Sequence, residues 1–310
     1  MAQAGGGIGV VVERRRISVG VADDRGVVRY RHTAPIADSD SRTVVDERLA
    51  SVIAAARDAA RDLALESDVV CIAVPGEIAG DPQHVVRSPL PLWVGWSARS
   101  LASDAEIVLV SAAHAGAAAE AARGSTDFVY ILGCAYGVSA VRFADGRICT
   151  QNDGRVGDLG HLTVVNGGVE CICGARGCLT AEFTHLLAAA RGADRDGASS
   201  LPAALDAGSV RATRLVRQLG VQLAGALAAI ARVVDPERVI LAGIHAEILP
   251  WIGAEVAAVI EHAVAGARLG SVEAILPGAP MADAVLAGAA RIACDQEPSS
   301  PLSEMIRPGS

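Results

Sequence analysis

The residues best suited to chemistry in this 310-residue chain lie close together, in the run GDLGHLTVVNGGVECICGARGCLTAE from Gly157 to Glu182. His161 is followed, after nine intervening residues, by Cys171, and then by Cys173 and Cys178. Imidazole nitrogen and thiolate sulfur are the ligands zinc prefers, and four protein ligands close a tetrahedral site. Gly174 and Gly177 relax the backbone where three ligands must turn onto one centre. A closed site has no open position for water, so the expected metal is structural and not catalytic. The competing reading is a set of unrelated buried thiols, or disulfides of a secreted protein. Clustering of the ligands favours zinc.

These ligands need a scaffold, and the flanking periodicity describes one. Gly7 to Val21 reads as two apolar strands, IGVVV and ISVGVA, joined by Glu13–Arg16, with GVVRYRHT as a third, making a β-meander. Ser41 to Leu65 repeats apolar residues at three- and four-residue steps, as a helix does. VVCIAV and Glu106–Ser111 are short apolar runs suited to buried strands, and Ala112 to Arg123 is an alanine-rich helix. The second half repeats this plan. A strand at Phe128–Leu132 is followed by a hairpin around Asp145-Gly146 and a helix from Leu179. A long helix over about Val210–Val234 leads to the strand RVILAG, then helix, the strand SVEAIL and a helix over 282–294. This is an α/β chain of two lobes. The first, residues 1–123, is closed by helix 282–294. The second, residues 124–281, carries the cysteine loop. The tail 295–310 is expected to be disordered.

Composition narrows the class. Net charge is −8, and the basic residues are all arginine. No basic run stands out beyond Arg14–Arg16, which weighs against a nucleic-acid surface. Of seven cysteines, Cys71, Cys134, Cys149 and Cys294 lie singly in apolar contexts, as buried free thiols do. The start of the chain has no leader pattern and no stretch is long enough to span a bilayer, so the expected location is the cytoplasm, away from membranes.

The run G-x-x-G-x-x-G-H ending at His161, followed by C-x-C-G-x-x-G-C-L from Cys171 to Leu179, resembles the signature of the ROK family of repressors, open reading frames and sugar kinases. AVPGEIAG, RSPLPLWVGW and VDPERVILAGIHAE resemble further phrases of that family. The resemblance implies a two-lobed, actin-like (ribonuclease H-like) ATPase fold with ligands between the lobes, a structural zinc loop and a homodimer. It implies sugar contacts at Gly76, Ser111, Asp158, His161 and Thr180, with Ser88 able to help. In the other reading, Asp158 caps a turn and His161 only ligates zinc. Nucleotide contacts would fall at Gly133, Gly137 and Gly243.

Where the family keeps its catalytic groups, this chain departs. The family's base aspartate lies in a segment that reads SAAHAGAAAE here, from Ser111 to Glu120, which puts Ala112 at the base. A methyl group accepts no proton, and His114, two residues on, is expected to be a cap-region histidine pointing elsewhere. The family's D-x-G-G-T is VVERRR here, with Val11, Glu13, Arg14 and Arg15 in its place. Its second phosphate loop is GCAYGVS, which keeps Gly133 and Gly137 but has no threonine. These changes predict a degenerate sugar-binding or regulatory protein with little or no kinase activity, for which ATP and magnesium are not expected. The alternatives are an ATP-dependent kinase of glucose or N-acetylhexosamine type, and a transcriptional regulator. Only six residues precede the first strand, which leaves no room for the helix-turn-helix of the family's repressors.

Overall fold

A computed structural model describes residues 5–65, 67–79, 83–101, 104–149, 159–191, 201–263, 269 and 275–295. Asp158, the stretch 192–200 and the tail after Asp295 lie outside them. The chain divides into two compact units. One comprises 1–126, 143–156 and 279–310, and the other 127–142 and 157–278. The described residues Phe143–Cys149 group with the first of these units.

In the first unit, β1 (Gly6–Val12), β2 (Arg16–Asp23) and β3 (Val28–Pro35) form the antiparallel meander. α1 (Arg42–Asp62) crosses to β4 (Val69–Val74), which pairs parallel with β1. A small ribbon, β5 (Glu77–Ala79) with β6 (His84–Arg87), precedes β7 (Glu106–Ser111), which pairs parallel with β4. The sheet order is β3-β2-β1-β4-β7. β1 and β4 are buried at every residue, so their sequences run apolar without alternation, as strands covered on both faces must. The Ser41 hydroxyl caps α1 by accepting from the Val44 N–H at 3.4 Å, and Leu49, Val52, Ile53, Ala56 and Ala60 bury one face. α2 (Ala112–Ala122) starts directly from β7, and α7 (Met281–Asp295) packs on α2 and β1.

In the second unit, β8 (Phe128–Cys134) lies between β9 (Gly137–Ala144) and β11 (Arg238–Gly243), and β12 (Ile275–Pro277) follows β11 in parallel. β9 runs past Arg142 into a hairpin with β10 (Arg147–Ile148), turned by Asp145-Gly146. Of the expected strand SVEAIL, only its end is described, within β12. The helices are α3 (Leu179–Arg191), α4 (Leu201–Asp206), α5 (Val210–Val233) and α6 (Ile244–Ala263). Their apolar faces share one core with β8, β9 and β11, in which Phe183, Val216, Leu223, Leu227, Ile248 and Ile252 are all buried.

One polar side chain lies deep in that core. His245, in the first turn of α6, is 1% exposed. Its ring lies over Gly133 so closely that a Cβ there would stand 2.5 Å from Nδ1. Phe183 packs against the ring at 4.7 Å between centroids, and among the described residues Nδ1 meets no hydrogen-bonding partner. Burial pushes the His245 pKa down to about 4. The folded state thus keeps this imidazole neutral while the unfolded chain takes up a proton below about pH 6.5. Its contribution is fully present above pH 6.5 and is lost as pH falls toward 4, by at most about 3 kcal/mol. Urea midpoints measured from pH 7.5 to 4 should fall more gently in H245F than in the native chain.

Candidate functional site

The cysteine loop folds as its spacing suggests. The ligating atoms of His161, Cys171, Cys173 and Cys178 all lie within 4.8 Å of one another. Cys173 Sγ is 3.7 Å from Cys178 Sγ, and Cys171 Sγ is 3.3 Å from His161 Nδ1. A disulfide needs about 2.05 Å. A tetrahedral centre with metal–sulfur bonds of about 2.3 Å sets sulfurs about 3.8 Å apart, close to what is seen. Backbone bonds build the knuckle: Cys171 N–H donates to Ala175 O at 2.8 Å, Gly174 N–H to Cys171 O at 2.9 Å, and Gly177 N–H to Val169 O at 2.8 Å. Burial, then the neighbouring thiols, raise the Cys178 pKa to about 12. Crowded thiols that resist ionising are what a bound cation converts to thiolates.

Glu182 escaped the sequence reading. It is 6% exposed, sits one turn into α3, and its Oε1 accepts from the Val169 N–H at 2.7 Å, tying the loop to the helix. An acidic residue in a first helical turn was the available signal. Thr180, a candidate sugar contact, is engaged with β9: its hydroxyl donates to Val138 O at 2.8 Å and accepts from Val138 N–H at 3.2 Å. The candidate nucleotide glycines also have packing roles. Gly133 and Gly243 face each other across the β8–β11 ladder with His245 on Gly133, and Gly137 abuts Thr180.

A second cluster lies in the first unit, at the carboxyl ends of its parallel strands. Val74 at the end of β4 is in register with Ser111 at the end of β7. Just beyond Val74, Gly76 takes φ +151°, and a Cβ would collide with the Arg87 carbonyl. Ser88, buried, donates to Pro75 O at 2.6 Å and holds this turn. Ser111 caps α2, accepting from His114 N–H at 3.2 Å, and its Oγ also lies 2.6 Å from His114 Nδ1. The expectation that His114 points elsewhere is therefore corrected: the first helical turn folds its ring back onto the serine. Burial lowers the His114 pKa to about 4. Ala112 packs its methyl against the core of β4, β7 and α7.

The β1–β2 turn is closed by Glu13 N–H donating to Arg16 O. The Glu13 carboxylate is held by the Arg16 guanidinium, while Arg14 and Arg15 pair with Asp38.

The fold is that of the actin-like, ribonuclease H-like ATPases, as comparison with solved structures shows. A ROK hexokinase from Thermus thermophilus matches with TM-score 0.75 and 23% identity, over 92% of this chain and 97% of its own. A ROK glucokinase from Streptomyces griseus, solved with glucose and AMPPNP, matches with TM-score 0.74 and 20% identity, over 93% and 99%. The model of the ROK family matches residues 7–296, and the chain belongs to that family. It is also 26% identical over 238 residues to a kanosamine kinase of Amycolatopsis mediterranei, covering 71% of this chain and 78% of that protein.

Gly177 takes φ +76°, and a Cβ there would overlap the Val165 carbonyl. G177A should therefore lower stability by about 2 kcal/mol or more and loosen the ligand cluster. Equilibrium denaturation, with thiol-reagent rates for the three cysteines, measures both effects.

Proposed function

We propose that this chain is a ROK-type sugar kinase, transferring phosphate from ATP to a hydroxyl of a hexose or aminosugar. The observation that carries the reading is its likeness to a kinase of an aminosugar over 71% of the chain, within a family it belongs to. This replaces the expectation that ATP plays no part. Candidate sugar contacts are Gly76, Ser111, Asp158 and His161. The β1–β2 turn does not fit a magnesium ion, because Val11 offers no side-chain oxygen and Arg16 holds Glu13. Magnesium is expected to arrive on the phosphates of ATP.

The donor set of His161, Cys171, Cys173 and Cys178 fits zinc, which would lock the loop and set the orientation of His161. We also propose a cytoplasmic homodimer without direct nucleic-acid contacts. Among the described residues no helix is long and apolar enough to cross a membrane.

A second reading, a sugar-binding regulator with little or no turnover, is favoured by one observation: the family's base position holds Ala112, with its methyl packed into the core. A regulator of transcription is a variant of that reading.

One set of measurements separates them. With ATP and magnesium, ADP should be released in the presence of glucose, glucosamine, N-acetylglucosamine or kanosamine, more slowly than the roughly 1–100 s⁻¹ of ordinary kinases. Calorimetric sugar binding with no ADP release selects the regulator. Elemental analysis should find one zinc per chain, and its removal should lower the melting temperature.

A further inference from the structure

The first unit carries a contact that the family resemblance does not imply: the approach of the Ser111 hydroxyl to the His114 ring. Ser111 stands at the end of β7, beside the β4 end that leads into Gly76. In open parallel sheets this carboxyl edge is where ligands sit. A serine hydroxyl has one proton and two lone pairs. One lone pair accepts the His114 backbone N–H at 3.2 Å, and with His114 in the tautomer that leaves Nδ1 bare, the 2.6 Å contact takes the serine proton. One lone pair is then left for an incoming hydroxyl, and Ser111 is only partly buried. Ala112 supplies nothing there, because a methyl group accepts no proton and this one packs against the core.

Resting on the kinase reading above, we propose that the Ser111–His114 pair is the proton acceptor for the attacking sugar hydroxyl, in place of the carboxylate that Ala112 lacks. The sugar oxygen forms a bond to the γ-phosphorus of ATP. The bond from that phosphorus to the β–γ bridging oxygen breaks, and its electron pair leaves with ADP. The sugar proton passes to Ser111 Oγ as the serine's own proton moves to His114 Nδ1, and the imidazolium later returns a proton to water. The pair has the basicity for this. Burial alone brings His114 to about 4, near the 3.9 or so of an ordinary aspartate, so it is neutral and able to accept at any pH above about 5.

The test is steady-state ADP release by the full chain with its best sugar. Four proteins are compared: native, H114N, S111A and A112D/H114N. Asparagine keeps an acceptor for Ser111 but takes no proton. H114N and S111A should lose on the order of 100- to 10,000-fold in kcat, with sugar affinity in H114N unchanged by calorimetry. A112D/H114N should recover at least tenfold. Native kcat in H114N would overturn the assignment while leaving the kinase reading intact. A native chain that turns over no sugar would refute the pair as a base. If A112D/H114N is then active, the scaffold still handles ATP; if it is also inactive, the kinase reading falls as well.

Discussion

Helix α7 lies so close to α2 that no side-chain carbon fits between them. At Gly288 a Cβ would overlap the Ala115 carbonyl. This contact sets the depth of α2 against the first sheet, and α2 carries the candidate strand-edge residues in its first turn. The constraint is reinforced electrostatically. Glu120, buried near the end of α2, accepts from the Ala279 N–H at 2.8 Å just before α7 begins. A buried carboxylate is costly unless its oxygens are satisfied, so Glu120 fixes both the register of α2 and the entry of α7. The C-terminal helix thus positions Ser111, which lies far from it in sequence.

The second unit uses a different device for the same purpose. Its cysteine loop has little apolar core of its own beyond Cys171, Cys178 and Ala181. Short turns with so few buried contacts hold together through backbone hydrogen bonds and covalent or metal links. Glu182 adds a charge-assisted bond from α3 to Val169, and Thr180 adds two bonds from the same helix to β9. Loop, helix and strand therefore move as one, and His161 is placed by all three. The candidate metal ligand and the candidate sugar contact are one residue here, so whatever orders the loop also sets the orientation of His161.

Much of this architecture was legible in the residues. β1 and β4 read as uninterrupted apolar runs because both faces are covered, and α1 and α5 read as helices because each buries one face. The clustering of His161, Cys171, Cys173 and Cys178 was legible because four such side chains within eighteen residues leave little freedom in how they can meet. The packing roles of Gly133, Gly137 and Gly243 were not. A glycine at a strand end looks the same whether it admits a phosphate or a neighbouring side chain, and here Gly133 admits His245. Nothing in the sequence distinguishes His245 from a surface histidine, since its burial depends on Phe183 and Gly133 arriving from distant positions.

His114 shows where periodicity stops informing chemistry. From sequence it stands two residues past the family's base position, and a helical wheel turns it well away from there. The first turn of a helix is a special case, because its N–H groups lack partners within the helix and a capping serine reaches forward to supply one. Ser111 does so for His114, the residue whose ring then reaches back. Capping and side-chain contact thus coincide on one pair, three residues apart. The distance of 2.6 Å is short for nitrogen and oxygen, and a neutral imidazole accepting from a hydroxyl is the arrangement that suits the lowered pKa. Burial keeps this imidazole neutral, and the cap that starts α2 holds its ring beside the serine hydroxyl. A role in proton transfer would need no further structural change to the helix.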